Sequence, residues 1–141
     1  MNPENSRNFA HFRKQLEMLL VDTDKSAKRV VSRMADVGLK ETKRNTPVGQ
    51  YKDGRQGGTL RKGWKKTPTH KTGNAFLSGY ENNTNYGLFV NNGHRIVDKD
   101  GKTIGYVKGK RMLEQGMNEA RRQTETLFRQ EVARVKRETG F

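Results

Sequence analysis

The fold is decided in residues 45–64, which read Asn-Thr-Pro-Val-Gly-Gln-Tyr-Lys-Asp-Gly-Arg-Gln-Gly-Gly-Thr-Leu-Arg-Lys-Gly-Trp. Pro47 disfavours helical geometry at Thr46, so the helical pattern upstream should end here. The glycines that follow allow backbone angles that other residues resist, which predicts a mobile loop over residues 45–59. From Leu60 to Trp64 a weak alternation predicts the start of a strand, with both apolar side chains on one face. We expect the Trp64 ring to be buried.

This glycine-rich segment is not a phosphate-binding loop by pattern. A P-loop places Gly-x-x-x-x-Gly-Lys-Ser/Thr between a strand and a helix, whereas these glycines lead from a helix into a strand. The segment therefore predicts a basic connection.

Composition limits the classes of protein that fit. A chain of 141 residues predicts one domain, and the lack of cysteine excludes disulfides and thiolate metal sites. No run of about 18 apolar residues could span a membrane, so we expect no membrane partner. Hydrophobic residues make up 30% of the chain and the mean hydropathy is −1.06, which predicts either long solvated helices or packing that is completed against partner chains.

The net charge of +14 is unevenly placed. Residues 51–71 hold seven basic residues against one acid, and residues 94–111 hold six against two. Both clusters fall in predicted loops and strands, so a groove-reading helix is not indicated. A basic chain of this kind fits either nucleic acid or an acidic protein surface.

The N-terminal part, residues 1–44, carries two apolar stripes at helical spacing. Asn2 and Pro3 form a plausible helix start, and the first stripe follows from Phe9 to Leu20. The cap-type residues of 22–24 predict a break, with a second helix from about Asp24 to Arg44. We expect both stripes to pack on the sheet of the same chain, although a partner-binding face has the same pattern.

Residues 60–107 predict a small antiparallel or mixed sheet. Strand 74–80 should pair with strand 60–66, with a break at residues 67–69. The apolar segment 86–90 fits either one helical turn or a buried strand. A β-hairpin is expected from Arg95 to Val107, because Asp100-Gly101 is a strong hairpin signal. A long final helix is expected over residues 110–138, ended by Gly140 and too long for this domain's own core. The fold class is therefore α+β: a small sheet with a hairpin, packed by N-terminal helices and a long C-terminal helix.

The sequence predicts no catalytic residue, no metal site and no cofactor, and hence no enzyme. His94 is the candidate for a nuclease, but no second histidine and no carboxylate cluster stands at ligand spacing. We expect His94 to hydrogen-bond the backbone where the chain enters the hairpin. The alternative function is nonspecific DNA binding, with phosphate contacts from Arg61, Lys62, Lys65, Lys66, Arg95, Lys108 and Lys110.

Several short motifs, in this order, resemble one family. They are Thr-Pro-Val at 46–48, Leu-Arg-x-x-Trp at 60–64, Gly-His-Arg at 93–95 and Met-Leu at 112–113. The chain resembles the small neck or tail-completion proteins of tailed bacteriophages and prophages over residues 16–120. It differs in a longer loop at 49–57 and in Asn91, where many members have a glutamate near Gly-His-Arg. The motif residues, which the resemblance implies are structural, are Thr46, Pro47, Gly58, Leu60, Arg61, Trp64, Tyr86, Gly93, His94, Arg95, Met112 and Leu113.

The resemblance implies a structural virion protein at the head-tail junction, made in the host cytoplasm. It implies a homo-oligomeric ring, expected to be six-fold, between the head-completion (stopper) protein and the tail terminator, with packaged DNA as a further contact. We expect loop 48–59 to dock a neighbouring ring through Tyr51, Lys52 and Arg55.

Overall fold

The computed structural model describes residues 3–140, apart from the side chains of Leu20 and Val21. The predicted helix start at Asn2 therefore lies outside the described residues. The elements in chain order are α1 (Pro3–Asn45), α2 (Thr59–Gly63), β1 (Trp64–Thr72), β2 (Ala75–Asn82), α3 (Gly87–Asn92), β3 (Gly93–Val97), β4 (Thr103–Lys108) and α4 (Met112–Thr139). This arrangement confirms the α+β class.

The N-terminal part is one continuous helix, so the predicted break at residues 22–24 is wrong. The cap-type side chains there make other contacts. The Thr23 hydroxyl donates to the Leu19 carbonyl within the helix, while Asp22 and Asp24 form ion pairs with Arg134 and Lys71. Because α4 and β1 occupy these carboxylates, they do not compete with the helical backbone.

Helices α1 and α4 run antiparallel and touch most closely at Gly116. A Cβ on Gly116 would lie 1.9 Å from the Thr42 hydroxyl, 2.5 Å from the Gly38 carbonyl and 2.7 Å from the Tyr80 hydroxyl. The fully buried Thr42 hydroxyl donates to the Tyr80 oxygen at 3.0 Å. Burial raises the pKa of Tyr80, and the Thr42 hydrogen bond opposes that rise. The absence of a side chain on Gly116 thus sets the distance between the helices.

A second contact between α1 and α4 is ionic. Glu131 is buried and accepts hydrogen bonds from Arg134 Nη2 at 2.6 Å and from Arg29 Nη1 at 3.4 Å. The Arg134 hydrogen bond is the largest influence on the pKa of Glu131, which lies below its ordinary value although burial works against it. Further along, Gln15 Nε2 donates to the Thr139 carbonyl at 3.1 Å. Residues 3–14 of α1 therefore project beyond the end of α4.

Strands β1 and β2 form an antiparallel sheet that packs on α1. Strand β1 passes through Pro68, so the predicted break at residues 67–69 is wrong; a register shift between Thr67 and His70 accommodates the proline. Lys66 ties the sheet to α1, since its Nζ lies 2.6 Å from the Ser32 hydroxyl and 2.8 Å from an Asp36 oxygen.

The main core lies where α2, β1 and the start of α4 meet. Leu60, Trp64 and Met112 are buried there together, with Tyr80 at its edge. The prediction that Trp64 is buried is confirmed, but Leu60 lies in helix α2 and not in a strand. Gly58, at φ 102°, precedes this short helix in a conformation that favours glycine.

The second half of the predicted sheet is separate. Strands β3 and β4 form their own two-stranded antiparallel sheet, which confirms the hairpin and replaces one sheet with two. The apolar segment 86–90 lies in the short helix α3, so of the two predicted alternatives the helical turn is confirmed and the buried strand is wrong. Helix α4 ends as predicted, with Gly140 at φ 74° donating its N–H to the Lys136 carbonyl. No helix in the described part has the length and apolarity needed to cross a membrane.

We predict that Gly116→Ala destabilises the protein by about 1 to 3 kcal/mol, because its methyl group would overlap backbone and hydroxyl atoms of α1. An exposed helical glycine would behave oppositely and gain about 1 kcal/mol from alanine. Urea denaturation measures whether Gly116→Ala raises or lowers the free energy of unfolding. Thr126→Ala on the exposed side of α4 is the control and should change stability by less than about 0.5 kcal/mol. A stabilised Gly116→Ala protein would contradict the close helix contact.

We predict that Glu131→Gln makes the free energy of unfolding depend less on pH in the acidic range. The folded-state pKa of Glu131 is lowered, so its contribution is fully present above the unfolded pKa of about 4.3 and is lost as pH falls through the folded value. The free energy of unfolding should fall by about 1 to 3 kcal/mol near neutral pH and vary less with pH below about 4.3. The control is Glu125→Gln, whose ion pair with Arg129 is exposed. If the free energy of unfolding varied with acidic pH as in the parental protein, this role for Glu131 would be excluded.

Candidate interaction surfaces

Thr46 joins the helical half of the chain to the sheet half. Its side chain is fully buried, donates to the Thr42 carbonyl at 2.7 Å and accepts the indole N–H of Trp64 at 2.9 Å. Its carbonyl accepts from Arg61 Nε at 3.1 Å and Nη2 at 2.7 Å. Because Pro47 prevents α1 from continuing, the last turn of the helix is free to receive these donors from the next element.

The glycine-rich loop closes on itself. A Cβ on Gly57 would lie 1.9 Å from the carbonyl oxygen of Gly49, so the two sides of the loop meet at these glycines. The closed base and α3 enclose a cleft of about 230 Å³, lined among others by Pro47, Gly58 and Tyr86. The loop is therefore a compact projection. The Tyr51 ring of its tip (residues 50–56) lies against Gly49 and also lines the cleft.

The predicted docking residues lie at this tip. Tyr51, Lys52 and Arg55 are exposed, and the Arg55 guanidinium stacks over the Tyr51 ring at 4.5 Å. Arg55 Nε also lies 2.8 Å from an Asp53 oxygen. The tip thus presents an aromatic ring and two cations, of which Arg55 is positioned by Tyr51 and Asp53.

Most of the motif residues lie beneath the exposed loop and hairpin, in or beside the core. Arg61 and Trp64 both donate hydrogen bonds to Thr46. Leu60 and Met112 are buried in the core, and Leu113 packs against them. Gly93, at φ 80°, approaches the Val107 carbonyl so closely that a Cβ would lie 2.3 Å away. The structure therefore places these residues where they shape the scaffold.

His94 and Arg95 are instead exposed on β3. The His94 ring meets Phe89 edge-on, with centroids 6.2 Å apart, which differs from the predicted backbone hydrogen bond. Across residues 3–140, no group of three or more His, Asp or Glu side chains is placed to hold a metal ion. His94 thus forms part of an apolar and basic surface with α3.

Asn91 is a structural residue that sequence reasoning missed. Its buried side chain accepts the Leu113 N–H at 3.0 Å and donates to the Glu114 carboxylate at 3.0 and 3.2 Å, so it caps α4 from a distant segment. Partial burial acts to raise the pKa of Glu114, but its own backbone N–H, Asn91 and Arg111 together hold it below the ordinary value. The turn position of Asn91 gave no sign of this pairing, since the partners are more than twenty residues away.

The basic residues of the DNA-binding alternative do not form one surface. Arg61 is bound to the Thr46 carbonyl, and Lys66 is bound to Ser32 and Asp36. The others divide into two places: Lys62 and Lys65 lie at α2 and β1, whereas Arg95, Lys108 and Lys110 lie at the β3–β4 hairpin. Two of the seven predicted phosphate contacts are thus occupied within the fold.

Residues 10–93 match a family model described as "Bacteriophage HK97-gp10, putative tail-component". The match covers more than half of the chain. The protein belongs to the HK97 gp10-like family. No curated protein and no solved structure shows significant similarity to it.

The match to the HK97 gp10-like family includes α1, the closed loop, the β1–β2 sheet and α3, and it ends at Gly93. The Thr46 junction lies wholly inside the matched region. Helix α4 lies outside it, although Met112 and Gly116 of α4 complete the core. The family resemblance expected from the motifs is thereby confirmed.

We predict that Thr46→Val costs about 1 to 3 kcal/mol of folding stability, because it leaves the buried Trp64 N–H without an acceptor. In a Trp64→Phe background, which has no indole N–H, the same change should cost about 1 kcal/mol less. Denaturant titration of the four proteins measures this coupling. Thr126→Val is the exposed control. Additive effects of the two substitutions would show that the bond does not join the two halves.

Proposed function

We propose that this protein is a structural component of the phage virion at the head-tail junction. In this role it assembles into a ring, expected to be six-fold, that joins the head-completion (stopper) protein to the tail terminator. Membership of the HK97 gp10-like family, described as a tail component, supports a place in the virion. The proposed role is assembly and involves no catalytic step.

The distribution of apolar side chains is the observation that carries the proposal. In the described part of the chain, five hydrophobic side chains are buried, whereas eighteen large hydrophobic side chains are largely exposed. Where exposed apolar side chains form a contiguous patch, the patch marks an interaction site. A subunit that is completed by its neighbours accounts for both the small core and the exposed residues.

One such surface is an apolar groove between α1 and α4. It encloses about 670 Å³ and is lined by Leu19, Ala27, Val30, Phe128 and Val132, among others. Phe128, one of the residues that line the groove, is 60% exposed. Neighbouring subunits of a closed ring bury such faces against one another, since a head-to-tail contact repeats around the ring.

The direct test is removal of the protein from the virion. Particles made without it should contain filled heads that lack attached tails when viewed by electron microscopy, and supplying the protein in trans should restore tails. Images of the purified assembly should show rotational symmetry. Normal tailed particles in its absence would disprove the junction role.

The loop tip gives a narrower prediction. Tyr51→Ala or Arg55→Ala should leave the melting temperature within a few degrees, because both side chains are exposed, yet reduce the yield of tailed particles on complementation. Arg129→Ala is the matched control, since Arg129 is an equally exposed arginine that pairs with one carboxylate. Full complementation by both loop variants would remove the loop from the interface.

A further inference from the structure

The β3–β4 hairpin is left largely uncovered by the rest of the chain. It forms a sheet of only two strands, and within residues 3–140 helix α3 is the element that packs substantially against it. Two-stranded sheets are marginally stable in water unless a third strand or another element covers them. The outer edge of β4 therefore carries unpaired backbone donors and acceptors that can accept a further strand.

One face of this hairpin is both apolar and basic. Arg95 stands opposite Tyr106, and alternation along β4 places Ile104 and Lys108 on the same face. Tyr106 is 79% exposed and Ile104 is 64% exposed. We call these four residues the hairpin face. Its base opens into a cleft of about 560 Å³ to which Arg111 adds a further cation.

Among the described residues, four of the cations around this face are free, whereas Arg111 is paired with Glu114. Within residues 3–140, Arg95, Lys99, Lys102 and Lys108 take part in none of the ion pairs. Asp98, in the turn of the hairpin, accepts the backbone N–H groups of Asp100 and Lys102 at 3.0 and 2.9 Å. The face thus has a positive charge that the chain does not neutralise locally.

The matching negative charge does not come from a second copy of this chain. Within residues 3–140, at least eleven of the fifteen acidic side chains already form ion pairs with basic residues of the same chain. Positive residues along a strand edge also keep identical edges apart. Charge complementarity therefore requires a different and acidic partner.

The side-chain chemistry favours protein over DNA as that partner. Ile104 is exposed on the hairpin face and Ile96 and Val97 are exposed elsewhere on the hairpin, and β-branched aliphatic side chains contribute to strand pairing and to apolar protein contacts. DNA backbones are contacted by cations and polar groups, and unpaired bases by aromatic rings. The two isoleucines serve neither purpose.

We propose that the hairpin face binds an extended acidic segment of a neighbouring protein, which adds to the edge of β4 as a third strand. The backbone of the segment pairs with β4, its carboxylates meet Arg95 and Lys108, and its apolar side chains cover Ile104 and Tyr106. The proposal rests on the proposed function, since it assigns one surface of the subunit to a different virion protein.

Fluorescence anisotropy with the full chain tests this at about 0.15 M salt, where surface electrostatics are partly screened. Three labelled probes are compared: a peptide of about twelve residues in Glu-Glu-Val-Val repeats, which alternates Glu and Val along each face of a strand, an oligoglutamate of the same charge, and a short DNA duplex. The alternating peptide should bind at least about tenfold more tightly than oligoglutamate, because only it can both pair with β4 and cover the apolar residues. Amide exchange in β4 should slow when it binds.

Two hairpin variants locate the site. I104S/Y106S should lose at least about tenfold in affinity for the alternating peptide and little for oligoglutamate, whereas Arg95→Glu with Lys108→Glu should weaken both. The matched control is Leu77→Ser with Phe9→Ser, which removes two exposed apolar side chains that lie outside the hairpin, the loop and the α1–α4 groove. Circular dichroism melting shows which variants remain folded. If I104S/Y106S is unfolded, the variant with Arg95→Glu and Lys108→Glu tests the site.

Equal affinity of the alternating peptide for the parental protein and both hairpin variants would overturn the proposal. Tighter binding of the duplex, lost in the same variants, would identify a DNA surface instead, and self-association lost in I104S/Y106S would identify an interface between copies. Normal rings without peptide binding would reject the hairpin proposal alone. Peptide binding at the hairpin together with normal tailed particles in the absence of the protein would reject only the junction role.

Discussion

The hydrogen bond from the Trp64 indole to the Thr46 hydroxyl is the contact on which the rest of the structure depends. It lies where α1 ends, and the same residue receives Arg61 at its carbonyl. Trp64 begins β1, so this contact fixes the direction in which the first sheet leaves the helix. The loop between the two residues can project from the surface because its ends are held at one buried point. The polar groups at that point are paired, as burial requires.

Polar contacts carry much of the packing in this protein because its apolar core is small. Thr42, Thr46 and Asn91 are buried beside Leu60, Trp64 and Met112. Each has hydrogen-bond partners, and no buried side-chain nitrogen or oxygen among the described residues lacks one. Directional bonds of this kind fix the geometry but add only modest net stability, about 1 kcal/mol each. Such a fold keeps its shape while leaving apolar surface for other chains.

The sequence predicted burial correctly for Leu60 and Trp64 but wrongly for the first apolar stripe of α1, where Phe9 is 68% and Leu16 is 38% exposed. Leu60 and Trp64 are four residues apart, a spacing that places side chains on one side of either a strand or a helical turn. Their burial is therefore confirmed, although the strand begins only at Trp64 and Leu60 lies in helix α2. The break in α1 was predicted because cap-type residues usually bind their own backbone, whereas here Asp22 and Asp24 pair with Arg134 and Lys71. The Gly116 contact and the Asn91 cap depend on residues far apart in sequence, which local patterns do not reveal. The loop tip and hairpin were recognised as exposed and basic, since turn residues and charge runs are local signals.

Helix α4 makes the family-matched region able to hold its shape. The matched residues contain Leu60 and Trp64, but Met112, which is fully buried against them, comes from α4. The Asn91 side chain closes the arrangement by bonding to Leu113 and Glu114 at the start of that helix. As a result, α3 and the base of the hairpin are fixed to α4, while the closed loop is fixed to α1 through Thr46. Because α1 and α4 are themselves held together at Gly116, the loop tip and the hairpin face are two surfaces on one frame. A partner that binds one of them is therefore placed in a defined position relative to whatever binds the other.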